Sequence, residues 1–69
     1  MIEFLSAYSD ITREWYVHDG TKYHWFPNYD ECVYHARAMC RTSRDSGKSC
    51  RLTIKNKSGV VTGTHVYCR

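Results

Sequence analysis

The run from Pro27 to Arg44 is the one stretch of this chain that reads as a long helix, and the segments around it read as short strands that cover one side of it. Its ends and its stripe agree. Asn28 is placed to cap the first turn with its side-chain oxygen, and Glu31 three residues on completes a capping-box pattern. Pro27 keeps the helix from extending backwards. Asp30 and Glu31 at the start and Arg41 and Arg44 at the end match the helix dipole, and Gly47 supplies a stop. At about 100° per residue, Tyr29, Cys32, Val33, Ala36, Met39, Cys40 and Ser43 share one face, which is the face to bury.

The other side carries Asp30, Glu31, Tyr34, His35, Arg37, Ala38, Arg41 and Arg44. Within it Arg37, Arg41 and Arg44 recur at i, i+4 and i+7 beside Tyr34. The positions four residues ahead of Arg37 and Arg41 hold Val33 and Arg37, so no acid neutralises these two along the helix. The stripe is left for a partner.

The flanking segments alternate as strands do. Ile2 to Tyr8 forms a first strand, with Ser9 to Thr12 as its exit turn. Glu14 to His18 and Thr21 to Trp25 flank Asp19-Gly20, a pair suited to a type I′ hairpin, which sets Tyr16 opposite Tyr23 and Trp15 opposite His24. After the helix and a polar loop from Thr42 to Ser49, Leu52 and Ile54 point inward while Arg51 and Lys55 share the outward face. Asn56 to Gly59 turns the chain, with Lys57 at the turn, and Val60 to Tyr67 returns. The expected fold is a single α+β domain over residues 1–69, β-β-β-α-β-β, a small antiparallel sheet with one helix packed across one face.

With 69 residues the chain is below the length at which one core gives ample stability, yet it carries six Tyr, two Trp and two Phe. Part of that aromatic surface has to stay outside. Charge is also unevenly spread: residues 1–31 hold six acids and two bases, a net −4, and residues 32–69 hold eight bases and one acid, a net +7. A basic C-terminal half of this kind points to an acidic partner, either nucleic acid or an acidic protein surface. The opening Met-Ile-Glu-Phe-Leu has neither the basic start nor the apolar run of a signal peptide, and no stretch reaches membrane-spanning length. The expectation is a cytoplasmic protein with no membrane partner and with reduced cysteines.

Cys32 and Cys40 lie eight residues apart on one helix, about 12 Å along its axis, too far to bond to each other. With the helix antiparallel to the fourth strand, Cys40, Cys50 and Cys68 cluster at one end and Cys32 stands apart. Three states fit that cluster: free thiols acting as small apolar groups, a disulfide, or a structural zinc with His65 as fourth ligand. Free thiols without metal are the expected state, since no Cys-x-x-Cys knuckle is present.

No catalytic pattern emerges. The four His and four Cys have no orienting acid at a telling spacing and no oxyanion-hole turn, and Ser46-Gly47-Lys48-Ser49 lacks the upstream glycine of a phosphate-binding loop. No cofactor is implied. Direct nucleic-acid binding would use Arg37, Arg41 and Arg44 with Arg51, Lys55 and Lys57 on phosphates and Tyr34 for stacking. Neither a recognition-helix turn nor an aromatic RNP-type strand accompanies them.

In size, surface charge and aromatic content the whole chain resembles the small accessory proteins of phages and other mobile elements, including anti-CRISPR and other host-takeover inhibitors. The resemblance implies a protein that occupies a surface of a host complex in the host cytoplasm, and it carries over no residue role. The expected function is therefore occlusion of a host protein or nucleoprotein complex with an acidic surface. The expected contact residues are Tyr34, Arg37, Arg41, Arg44, Arg51, Lys55 and Lys57. Direct nucleic-acid binding is the first alternative, and a structural domain that dimerises through a free sheet edge is the second.

Overall fold

The computed structural model describes residues 1–68; Arg69, counted above in the charge of the C-terminal half, lies outside the described residues. Five strands and one helix follow in the order β1 (Ile2–Ser9), β2 (Glu14–His18), β3 (Tyr23–Phe26), α1 (Tyr29–Asp45), β4 (Cys50–Lys55) and β5 (Val61–Tyr67). They form one sheet in the order β3-β2-β1-β4-β5, with the helix on one face. This is the expected α+β arrangement, but the sheet is mixed. β1 and β4 pair in parallel at its centre, and the remaining neighbours are antiparallel. The helix is the physical cause. β3 runs in the direction of β1, the helix carries the chain back to the end where both began, and β4 therefore starts level with β1.

The helix ends obey local chemistry. Asn28 adopts an extended conformation and its side-chain oxygen accepts the Glu31 amide at 2.9 Å. The Glu31 carboxylate turns instead to His35, at 3.4 Å. At the other end Gly47, at φ 93°, closes a Schellman motif: its amide donates to the Arg44 carbonyl at 2.9 Å and the Lys48 amide donates to the Ser43 carbonyl at 2.9 Å. The helix runs on to Asp45, so Arg44 lies in the last turn and Arg41 a turn earlier.

Cys32, Ala36 and Cys40 are fully buried, as the stripe requires, with Val33, Met39 and Ser43 half-buried around them and Tyr29 exposed at the end. They pack on Phe4, Val17, Cys50, Leu52 and Ile54, the helix-facing side chains of three adjacent strands. Ser6 is the one buried polar side chain among the described residues, and it is satisfied. The Cys32 thiol donates to the Tyr16 carbonyl at 3.2 Å, so the Ser6 hydroxyl, 3.2 Å from that sulfur, donates to it. Cys32→Ala is expected to destabilise by roughly 1–3 kcal/mol because it leaves a cavity and an orphaned hydroxyl. Ser6→Ala, which removes the hydroxyl itself, is expected to cost about 1 kcal/mol or less, with both variants read by urea titration.

The β2–β3 hairpin departs from the expected register. Tyr16 pairs with Trp25, Trp15 with Phe26 and His18 with Tyr23, and four residues separate the strands. Gly20 takes positive φ, but Asp19 does not, so the type I′ turn is not formed. Asp19 instead uses one carboxylate oxygen to accept the amides of Thr21 and Lys22, each at 2.9 Å, and the other to meet His24 at 2.8 Å. The bond to His24, and then the two amides, hold the Asp19 carboxyl well below its ordinary range. Such a group stabilises the fold at neutral pH, and its contribution fades as acid protonates it below the normal carboxylate range. The slip is two residues long, so each side chain keeps its face.

Candidate partner interface

Two distinct surfaces carry six of the seven expected contact residues. The first is the solvent side of α1. Tyr34 is 65% exposed there, with its ring edge-on to His35, and Arg37 and Arg41 are exposed beside it. The helix turns this stripe toward β5 rather than straight out. An Arg37 guanidinium nitrogen stands 3.4 Å from the His65 ring, and the Arg44 guanidinium lies 6.0 Å from the centre of the Tyr67 ring. His65 and Tyr67 project from β5 on its helix-facing side, opposite Leu52 and Cys50. Among the described residues neither Arg37 nor Arg41 is in a salt bridge, while Arg44 reaches its neighbour Asp45 at 3.4 Å.

The second surface is the side of the sheet that the helix leaves bare. Arg51 and Lys55 project from it, as their alternation with the buried Leu52 and Ile54 demands. Arg51 is already engaged: its guanidinium forks onto Glu3 of the parallel neighbour β1, at 2.8 and 3.0 Å, and this bond raises its pKa further. Lys57, in the β4–β5 turn, belongs to neither surface: its ammonium lies 4.9 Å from the centre of the Tyr8 ring, which packs on Trp15 at the helix-facing side of the sheet. The seven residues therefore do not form one site. Tyr34, Arg37, Arg41 and Arg44 come together; Arg51 and Lys55 lie on the opposite face of the molecule.

The bare face also carries aromatic side chains that the sequence reading did not nominate. Tyr23 and Trp25 are 56% and 45% exposed and stack with ring centres 5.9 Å apart, while Tyr16 packs against both at 5.2 and 5.5 Å. The alternation of these three residues in the hairpin was the available signal, since Tyr16 and Tyr23 already fell on one face.

The cysteine cluster forms only in part. Cys40 and Cys50 meet, the Cys50 thiol reaching the Cys40 carbonyl at 3.5 Å, and Cys32 stands apart as expected. Cys68 is exposed instead: Tyr67 takes the helix-facing position opposite Cys50, and the next residue is turned away from it. All four are free thiols, and no group of three or more potential metal ligands occurs among the described residues. Burial, with the neighbouring Cys50 adding to it, pushes the Cys40 thiol up to about 12, and burial also raises Cys32. Native alkylation with a maleimide near neutral pH is expected to modify Cys68 quickly and to spare the other three until denaturant is added, read out by intact mass.

Together these features define a two-layer α+β domain with one basic helix flank, one bare aromatic sheet face and a free strand edge between them. No family model, no curated protein and no solved structure matches the chain. No helix among the described residues is long and apolar enough to cross a membrane.

Proposed function

We propose that this chain is a non-enzymatic binding protein, an inhibitor of the kind that phages and other mobile elements encode, which occludes an acidic surface of a host protein or nucleoprotein complex in the host cytoplasm. The supporting observation is the charge state of the helix flank. Arg37 and Arg41 have no carboxylate within salt-bridge distance among the described residues, whereas Arg51 carries its own counter-charge in Glu3. Unpaired guanidinium groups beside an exposed tyrosine suit a protein interface, where Arg and Tyr are enriched at contact centres.

The nucleic-acid reading draws on the same flank but is weakened by the division into two surfaces, because Arg51 and Lys55 face away from the stripe. Anisotropy of labelled single-stranded and duplex oligonucleotides across salt concentration separates the two readings. The expected result is no saturable binding at low salt, with capture of a protein partner from a bacterial lysate. Micromolar or tighter oligonucleotide binding whose log affinity falls linearly with log salt would replace this reading with direct nucleic-acid binding.

A further inference from the structure

The two edges of the sheet are not alike. β3 has four residues, and Pro27 follows it at once, which blunts that edge against pairing. β5 has seven residues, Val-Thr-Gly-Thr-His-Val-Tyr, with no proline, no lysine and no acid. It lies at the end of the strand order, so the backbone groups on its outer side have no strand partner among the described residues. Val61 and Val66 are about half exposed along it, at 51% and 55%. A bulge at Thr62 interrupts its pairing with β4, but the regular run from Gly63 to Tyr67 is still longer than β3, and an uncharged edge of that length is a template for another strand.

Charge selects which strand. Arg37 and Arg44 hang over this edge through His65 and Tyr67. A strand added beside β5 would place its helix-facing side chains one row further out, about 4.8 Å beyond those two rings. Arg37, Arg41 and Arg44 stand at successive steps of about 6 and 4.5 Å along the helix axis. Alternate residues of a strand recur at about 6.8 Å, so three acids at every second position span about 13.6 Å against about 10.5 Å for the three arginines, a difference of about 3 Å that the long arginine side chains can take up. A second copy of this chain fits poorly. Antiparallel pairing of β5 with its own copy puts both helices on one face of the joined sheet, and their arginine flanks then oppose each other.

We propose that β5 accepts an extended acidic segment of a partner protein as a sixth strand, held by backbone hydrogen bonds along the edge and by ion pairs from alternate acidic side chains to Arg37, Arg41 and Arg44. This deepens the proposed function and rests on its reading of the arginine flank.

The test uses the full chain and a blocked, fluorescein-labelled peptide of β5's length in which glutamate alternates with valine. Saturable binding is expected, with slowed amide exchange along β5 in NMR. Two further peptides carry backbone N-methyl groups at every valine or at every glutamate. One of them is expected to bind at least about tenfold more weakly while the other retains affinity, because only one edge of the added strand faces β5. The R37A/R41A/R44A variant is expected to lose at least about tenfold for the unmodified peptide. Absence of binding, or equal binding by both methylated peptides, overturns strand addition. So does a concentration-dependent dimer that excludes the peptide. If equal binding by the methylated peptides accompanies a large loss in the arginine variant, strand addition fails while the proposed occlusion function stands. If the arginine variant also captures the lysate partner normally, both fail.

Discussion

Leu52→Ala is expected to bring this domain close to unfolding. Leu52 is wholly buried in β4, paired with Phe4 of β1 on one side and with His65 of β5 on the other, in the core formed with Cys32, Ala36 and Cys40 of the helix. Truncating a leucine so placed costs roughly 2–5 kcal/mol, from lost burial and from the cavity left behind. At about 0.05–0.15 kcal/mol per residue, a chain of this length has only some 3–10 kcal/mol in total. Urea titrations followed by far-ultraviolet circular dichroism and by tryptophan fluorescence should show the midpoint fall sharply with the slope unchanged. Leu52→Met, which keeps the volume, is expected to lose less than about 1.5 kcal/mol. A loss below about 1 kcal/mol for the alanine variant would mean that the helix does not close over this strand.

The largest expected effect on binding comes from the helix flank. With Arg37, Arg41 and Arg44 all replaced by alanine, partner capture is expected to fall by well over the roughly thirtyfold that one interface hot spot of about 2 kcal/mol supplies. The three side chains stand on the outer part of the helix and none belongs to its buried stripe. The circular dichroism spectrum should therefore be unchanged. Within the flank Tyr34 and Arg41 are expected to matter most singly, the first as an exposed aromatic anchor and the second as an exposed guanidinium with no acid in salt-bridge range among the described residues. The matched control replaces Arg51, Lys55 and Lys57. Arg51 is held by Glu3 and Lys57 lies over Tyr8, so this triple is expected to change capture by no more than about threefold. Surface plasmon resonance with the identified partner gives both numbers. Retained capture by the helix triple, with loss in the control, would move the interface to the bare face and its Tyr16, Tyr23 and Trp25.

These two variants differ in how far the sequence alone foresees them. The inward set of β4 and the buried stripe of α1 follow from the periods of two and 3.6 residues, because side-chain direction is a property of the local backbone. Asn28 and Gly47 mark the helix ends for the same reason, each acting on amides or carbonyls within a few residues of itself. The hairpin register is not fixed by Asp19-Gly20, because that pair admits more than one turn. The choice went to the Asp19 carboxylate, which caps two amides of a longer loop and takes His24 as a partner. That partner lies across the loop, where a two-residue motif carries no information.

Composition and periodicity determined that this chain makes one amphipathic helix and short alternating strands, which residues of each face the core, and that three arginines share a helix flank. Only the tertiary structure decided that β1 and β4 run parallel, that Arg51 spends its charge on Glu3 across that pair, that Cys68 turns away from Cys40 and Cys50, and that the arginine flank overhangs the free edge of β5. The first group depends on interactions within a few residues along the chain. The second depends on which strands become neighbours across 48 residues of sequence, as Glu3 and Arg51 do, and that is settled by burying the helix stripe and the strands' inner faces together.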